Sequence, residues 1–145
     1  MNITTRPLSS DECVQLITHA APPWKQQYFI AVFTGLRISD LLSLSWFPYP
    51  PEKVLEIQTG KIKEIVWSDL ALAHWEALYN FGSPREKLFI QRDPSSYRKR
   101  IQSDCAKLLI PHKHVAFHSL RKSHAVIAYR QGGVLAAKQA MNHTS

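Results

Sequence analysis

The stretch Gly35-Leu36-Arg37-Ile38-Ser39-Asp40-Leu41-Leu42-Ser43-Leu44 decides how the rest of this chain is read. Immediately before it, Trp24 to Thr34 carries Tyr28, Phe29, Ala31, Val32 and Phe33, an apolar density that predicts a buried helix. Gly35 ends that helix at a turn that brings Arg37 near its end. Beyond the turn, Ser39 to Leu44 restarts as a short helix whose leucines anchor it to the core. Arg37 is therefore fastened by packing on both sides. A guanidinium held in this way suits a phosphate that must be met with fixed geometry.

Working outward from that turn, Ser9 with Glu12 three residues later forms a capping-box signature for a first helix. Val14, Leu16 and Ile17 supply its apolar contacts, and Pro22-Pro23 closes it and introduces the next helix. Downstream, Phe47-Pro48-Tyr49-Pro50-Pro51 can continue neither a helix nor a central strand and reads as a rigid connection. Val54 to Gln58 and Ile62 to Trp67 have the branched and aromatic content of two short strands, joined at Thr59-Gly60-Lys61. Lys61 and Lys63 make that hairpin basic.

A further helix is expected from Ser68 or Asp69 toward Tyr79, with Leu70, Leu72, Trp75 and Leu78 supporting it and Gly82 and Pro84 breaking it. Leu88-Phe89-Ile90 fits either a short buried strand or an extended core segment. Asp93-Pro94-Ser95-Ser96 opens another helix, with Ile101, Cys105, Leu108 and Leu109 expected on its inner face and Pro111 ending the pattern. His118 to Arg130 is expected to be helical up to Gly132-Gly133, with His118 and Arg121 on one side. A last helix is expected over Val134 to Met141, which places His143 at its C-terminal end.

A length of 145 residues with 45% hydrophobic content fits one domain with its own core. The net charge of +7, from 18 Lys and Arg against 11 Asp and Glu, favours an anionic partner. Cys13 and Cys105 are too few for a disulfide framework or a structural zinc scaffold, and both are expected as buried thiols. Neither a signal-peptide pattern nor an apolar run of spanning length is present, so the expectation is a soluble, cytoplasmic protein without membrane contact.

Taken together, three segments carry a family resemblance. Gly35 to Leu44 is similar to the first arginine motif of the tyrosine recombinases, the phage integrase-like enzymes; His118-Ser119-Leu120-Arg121 resembles their His-x-x-Arg box. Asn142-His143-Thr144-Ser145 resembles the start of their Gly-His-Ser-Ser segment. The matches occur in family order and span nearly the whole chain. The resemblance implies a mostly α fold with a small antiparallel β-sheet, the integrase catalytic-domain fold, binding double-stranded DNA in a basic groove.

By that resemblance Arg37 and Arg121 would clamp the scissile phosphate and stabilise the charge that develops on it. Asp40 would orient Arg37 and other site groups, His118 would position the phosphate and manage protons as a neutral imidazole, and His143 would donate to a phosphate oxygen. No metal and no cofactor is implied. The hairpin departs from the family pattern, since Gln58-Thr59-Gly60 stands where Lys-Thr-Gly is usual. Lys61 is the favoured substitute for the family's general acid, with Lys63 the alternative if the turn is shifted.

The family's attacking tyrosine would fall beyond Ser145, and Tyr28, Tyr49, Tyr79, Tyr97 and Tyr129 do not match its place. The expectation is therefore a single catalytic domain over 1–145, C-terminally incomplete and without the N-terminal core-binding domain. Its parent would cleave and rejoin DNA through a 3′-phosphotyrosyl intermediate as a DNA-bound tetramer. This chain would be inactive alone and monomeric in isolation. Two alternatives stay open: a naturally short, inert DNA-binding or regulatory relative, and a protein-interaction domain that reuses the fold.

The remaining basic residues admit plainer roles. Arg98, Lys99, Arg100 and Lys107 form either a solvated helix face or DNA-backbone contacts, and Lys113 and Arg130 could extend the same field. His112, His114 and His118 invite a zinc reading, but Pro111 disrupts the geometry and no cysteine set is near. Trp24, Trp46, Trp67 and Trp75 are assigned mostly to packing.

Overall fold

The computed structural model describes residues 5–45, 50–81 and 87–127. Helix α1 (Ser10–His19) begins where Ser9 Oγ accepts the Glu12 N–H at 3.1 Å and the Ser9 N–H donates to Glu12 Oε1 at 2.9 Å. The reciprocal bonds satisfy two donors that a helix start leaves orphaned. Arg6 braces the same carboxylate at 3.0 Å and reaches across to the Pro111 carbonyl at 2.5 Å, tying the N-terminal segment to the far end of the sequence.

Helix α2 (Trp24–Thr34) is apolar on nearly every side, which suits the middle of the molecule. It packs on α1 and on α4 (Asp69–Tyr79), whose first turn is capped by Ser68 Oγ accepting the Ala71 N–H at 3.2 Å. Tyr28, Ile30, Trp75 and Leu78 are fully buried there. Among the polar atoms that this burial traps, Gln27 Oε1 accepts the Ile90 N–H at 2.9 Å and the Tyr97 hydroxyl at 3.2 Å.

Helix α3 (Ile38–Ser43) follows the Gly35 turn and sinks Leu41 into the core. Strands β1 (Lys53–Leu55) and β2 (Ile62–Glu64) pair antiparallel, with Val54 opposite Lys63. They are shorter than the sequence predicts. Flanking bonds nonetheless continue the ladder, from the Ile65 N–H to the Glu52 carbonyl and from the Glu56 N–H to the Lys61 carbonyl, each 2.8 Å.

Helix α5 (Pro94–Lys107) lays Tyr97, Ile101 and Cys105 inward, and Tyr97 meets Trp24 and Phe117 edge-on at 5.0 Å. Leu108 is partly buried against the core, but Leu109 corrects the expectation of an inner-face residue. Its backbone turns to a φ of 58°, which ends the helix and leaves the side chain 92% exposed. Of the two readings of Leu88 to Ile90, the extended core segment holds: Leu88 and Phe89 are buried, and the Leu88 N–H donates to the Leu44 carbonyl at 2.9 Å. Only an isolated bridge, Ser45 with Lys87, marks sheet-like pairing there.

Residues 118–127 are helical. Ser123 Oγ accepts the Leu8 N–H at 2.8 Å and donates in the direction of the Leu8 and Ser119 carbonyls, while Lys122 Nζ donates to the Thr5 carbonyl at 2.6 Å. The N-terminal segment thereby locks this helix in rotation, which fixes where Arg121 points. Trp46, Tyr49, Tyr129, Arg130, His143 and the expected helix from Val134 to Met141 lie outside the described residues. Among the described residues no helix is long and apolar enough to cross a membrane.

Candidate phosphate-binding site

Everything at the site is organised around the turn after α2. Gly35 has a φ of 67°, and a Cβ built there would lie 2.4 Å from the His124 ring, so a larger residue is strained and must push that ring aside. His124 itself sits 2.7 Å, through Nδ1, from the Val32 carbonyl. Carbonyls at the helix end are taken by two buried cations, the most buried among the described residues. Arg121 Nη1 donates to the Gly35 carbonyl at 2.6 Å, and Lys63 Nζ donates to the Thr34 carbonyl.

Arg37 comes from the other side of the turn. Its Nη1 lies 3.1 Å from Glu56 Oε2, and Arg121 Nη1 lies 3.9 Å from the same oxygen. One buried carboxylate thus stands between the two arginines that the sequence pairs. Arg37 keeps about a quarter of its side chain in solvent, at 27%, against 4% for Arg121. The pair therefore offers one anchored and one accessible guanidinium.

Asp40 is completely buried, and its Oδ1 accepts the Ile57 N–H at 2.8 Å. That bond fastens α3 to the hairpin. Asp40 is expected to orient Arg37 and other site groups; the hydrogen bond it makes goes to the hairpin backbone, and Oδ2 has no hydrogen-bond partner among the described residues. Its charge still acts on the cluster, favouring the charged forms of Lys63 and Arg121.

The hairpin lysine inside the cluster is Lys63, 4% exposed, whereas Lys61 is half-buried at the turn, its N–H held by Thr59 Oγ1 at 3.2 Å. Burial first, and then the charge of Arg121, lower the Lys63 pKa from the usual 10.5 to about 8, with Glu56 opposing. Such an ammonium gives up its proton more readily than a surface lysine does. Arg121 is also pushed downward by burial and by Arg37, and remains a cation at neutral pH.

His118 is solvent-accessible at the head of its helix, and Ile38, Ser95, Arg98 and Phe117 line an open pocket beside it. Partial burial, followed by the charges of Lys122, Arg121 and Arg37, holds its imidazole below the ordinary range, so it is neutral at pH 7. Arg98 and Lys99 project into solvent from α5, as does Lys107 in its last turn. Arg100 is committed elsewhere: its Nε lies 3.1 Å from Asp104 Oδ2, and its guanidinium covers the Trp24 ring at 5.2 Å. Among the described residues no group of histidines, cysteines and acids could hold a metal ion.

Sequence reasoning did not single out Glu56. The signal was present in the alternation of the strand, since Glu56 shares the inward face with Val54, as Lys63 does with Ile65. A charge at an inward position of a short strand needs a partner, and here it has two.

The backbone as a whole superposes on solved recombinases. The structure of XerA recombinase matches with a TM-score of 0.78 at 21% identity, covering 100% of this chain and 58% of that one. The lambda integrase catalytic core matches at 0.71 and 17% identity, over 95% of this chain and 91% of that one. This chain has the tyrosine recombinase catalytic-domain fold. A lambda integrase tetramer bound to a Holliday junction matches at 0.73 and 17% identity; the chain spans all its own length there but 48% of that protein's. No family model and no curated protein matches the sequence. The Gly35 turn, the hairpin and the helix beginning at His118 are the parts of this fold that carry the cluster.

Proposed function

We propose that this chain is the phosphate-gripping catalytic portion of a site-specific tyrosine recombinase, whose parent acts on double-stranded DNA in recombination or integration. The observation that carries the reading is the convergence of Arg37, Lys63 and Arg121, with His118 on the same helix as Arg121, at a turn built from the first arginine motif. Arg37 and Arg121 grip the nonbridging oxygens of a backbone phosphate and stabilise charge building on them. Lys63, with its lowered pKa, protonates the leaving 5′-oxygen, and neutral His118 orients the phosphate. Arg98, Lys99 and Lys107 add sequence-independent attraction to the backbone.

The nucleophile is not among the described tyrosines in this reading. Tyr28 and Tyr97 are fully buried, with hydroxyls bonded to Asp104 Oδ2 at 2.7 Å and to the Ile90 carbonyl at 2.5 Å, and Tyr79 sits on α4. Burial and the neighbouring Asp104 drive the Tyr28 pKa upward, away from a phenolate. In this reading the described residues bind duplex DNA without supplying the tyrosine of a 3′-phosphotyrosyl bond, His143 is the residue assigned to a further phosphate contact, and a DNA-bound tetramer in the cytoplasm is the assembly in which the recombinase acts.

The test is paired. A salt series of duplex DNA binding should give affinity that falls steeply with ionic strength, and a nicked suicide duplex should give no covalent adduct on denaturing gels. Salt-insensitive binding would contradict the DNA reading, and an adduct mapped to Tyr28, Tyr79 or Tyr97 would contradict the assignment of the described tyrosines.

A further inference from the structure

The arginine pair already holds an anion. Glu56 is 1% exposed, and its Oε2 sits 3.1 Å from Arg37 Nη1 and 3.9 Å from Arg121 Nη1, while Oε1 accepts from Thr59 Oγ1 at 3.4 Å. A carboxylate oxygen between two guanidinium groups stands as a nonbridging phosphate oxygen would stand in a phosphate clamp. The side chain is delivered by the hairpin, whose neighbouring residue Ile57 is held to Asp40 at 2.8 Å, so it does not drift in from solvent by chance.

We propose that Glu56 is a resident competitor of the phosphate: its carboxylate occupies the Arg37–Arg121 clamp and sets how tightly the site takes a DNA backbone anion. The inference rests on the reading of that pair as a phosphate clamp. Its physical basis is a balance of charge. Arg37, Arg121 and Lys63 bring three positive charges, and Glu56 and Asp40 remove two, so the cluster presents one net positive charge to an incoming phosphodiester. An arriving phosphate must share or displace the Glu56 contacts with both arginines, and it meets the repulsion of that carboxylate at close range in a poorly solvated place. Arg37 is the arm free to move in such an exchange, being the more exposed of the two, while Arg121 stays moored to the Gly35 carbonyl at 2.6 Å.

The alternative role for the same geometry is purely architectural, a counter-ion without which two arginines would repel each other out of position. The two roles differ in sign. Duplex DNA binding is measured at one fixed salt concentration for the full chain and for Glu56→Gln, which keeps the shape and an acceptor oxygen but not the charge. Resident competition predicts tighter binding on the order of tenfold, as expected for removing one negative charge from contact with the phosphate. Unchanged or weaker binding overturns it. Arg37→Gln is the control for the underlying reading. If it binds as the full chain does, the clamp itself is refuted; if it weakens binding while Glu56→Gln fails to tighten it, only the competitor role falls. Should the glutamine variant not fold, Glu56→Asp, whose carboxylate is drawn back by one methylene, is expected to bind DNA more tightly than the full chain, and equal or weaker binding by it refutes the inference.

Discussion

Replacing Lys63 with methionine separates the energetics of the site from its chemistry. Lys63 is 4% exposed and its pKa lies near 8 in the folded chain against the usual 10.5. At about 1.36 kcal/mol per pH unit, that difference amounts to about 3 kcal/mol. The sign follows from proton counts. Between pH 8 and 10.5 the unfolded chain holds the Lys63 proton and the folded chain does not, so stability rises with pH across that window. Below pH 8 both states are protonated and the full cost of burying the ammonium is present. Urea denaturation at pH 7 and at pH 10 should therefore show the chain gaining about 2 to 3 kcal/mol more than Lys63→Met gains over the same interval, with all other titrations cancelling in the comparison. At pH 7 the variant should also bind duplex DNA more weakly, having lost a cation from the clamp. An identical pH response in the two proteins would refute the placement of Lys63 inside the cluster.

Three further outcomes follow from local geometry. Gly35→Ala combines a φ of 67° with a Cβ 2.4 Å from the His124 ring, and should lower stability by about 2 kcal/mol or more in thermal or urea unfolding while loosening the grip on DNA. Tyr28→Phe removes a buried donor to Asp104 at 2.7 Å and should cost about 2 kcal/mol, with DNA affinity measured on folded protein unchanged. The His118 imidazole is held below its ordinary range, and a bound phosphate favours its charged form. DNA affinity should therefore increase as pH drops below the usual imidazole value, and His118→Gln should flatten that increase in a fluorescence anisotropy titration.

Local signals in the sequence translated directly into structure. Ser9 and Glu12 form the capping box that their spacing announces, Gly35 ends α2 at a turn, and the hairpin closes through Thr59-Gly60-Lys61 within a longer connection from Glu56 to Lys61. Arg37 and Arg121 meet through Glu56 because the chain packs their elements together, which motif spacing alone does not specify. The choice between Lys61 and Lys63 depends on the register of the hairpin, which sets Lys63 inward opposite Val54 and leaves Lys61 at the connection after the last strand pair, Leu55 with Ile62. Arg98 and Arg100 look alike in the sequence. Only the position of Asp104 one helical turn on, together with the Trp24 ring on α2, commits Arg100 to the fold while Arg98 stays in solvent. A helical period continued to Leu109 would turn it inward, but the backbone leaves the helix before that residue. The exposed face of the hairpin, Leu55, Ile57 and Ile62, likewise follows from the alternation that turns Val54, Glu56 and Lys63 inward.

The central claim is that Arg37, Lys63 and Arg121 form one grip for a DNA phosphate. The most direct measurement is a crystal structure of this chain with a short duplex. The account predicts a backbone phosphate within hydrogen-bonding reach of both guanidinium groups and of Lys63 Nζ. A duplex lying on another face, with Glu56 still closing the arginine pair, would contradict it.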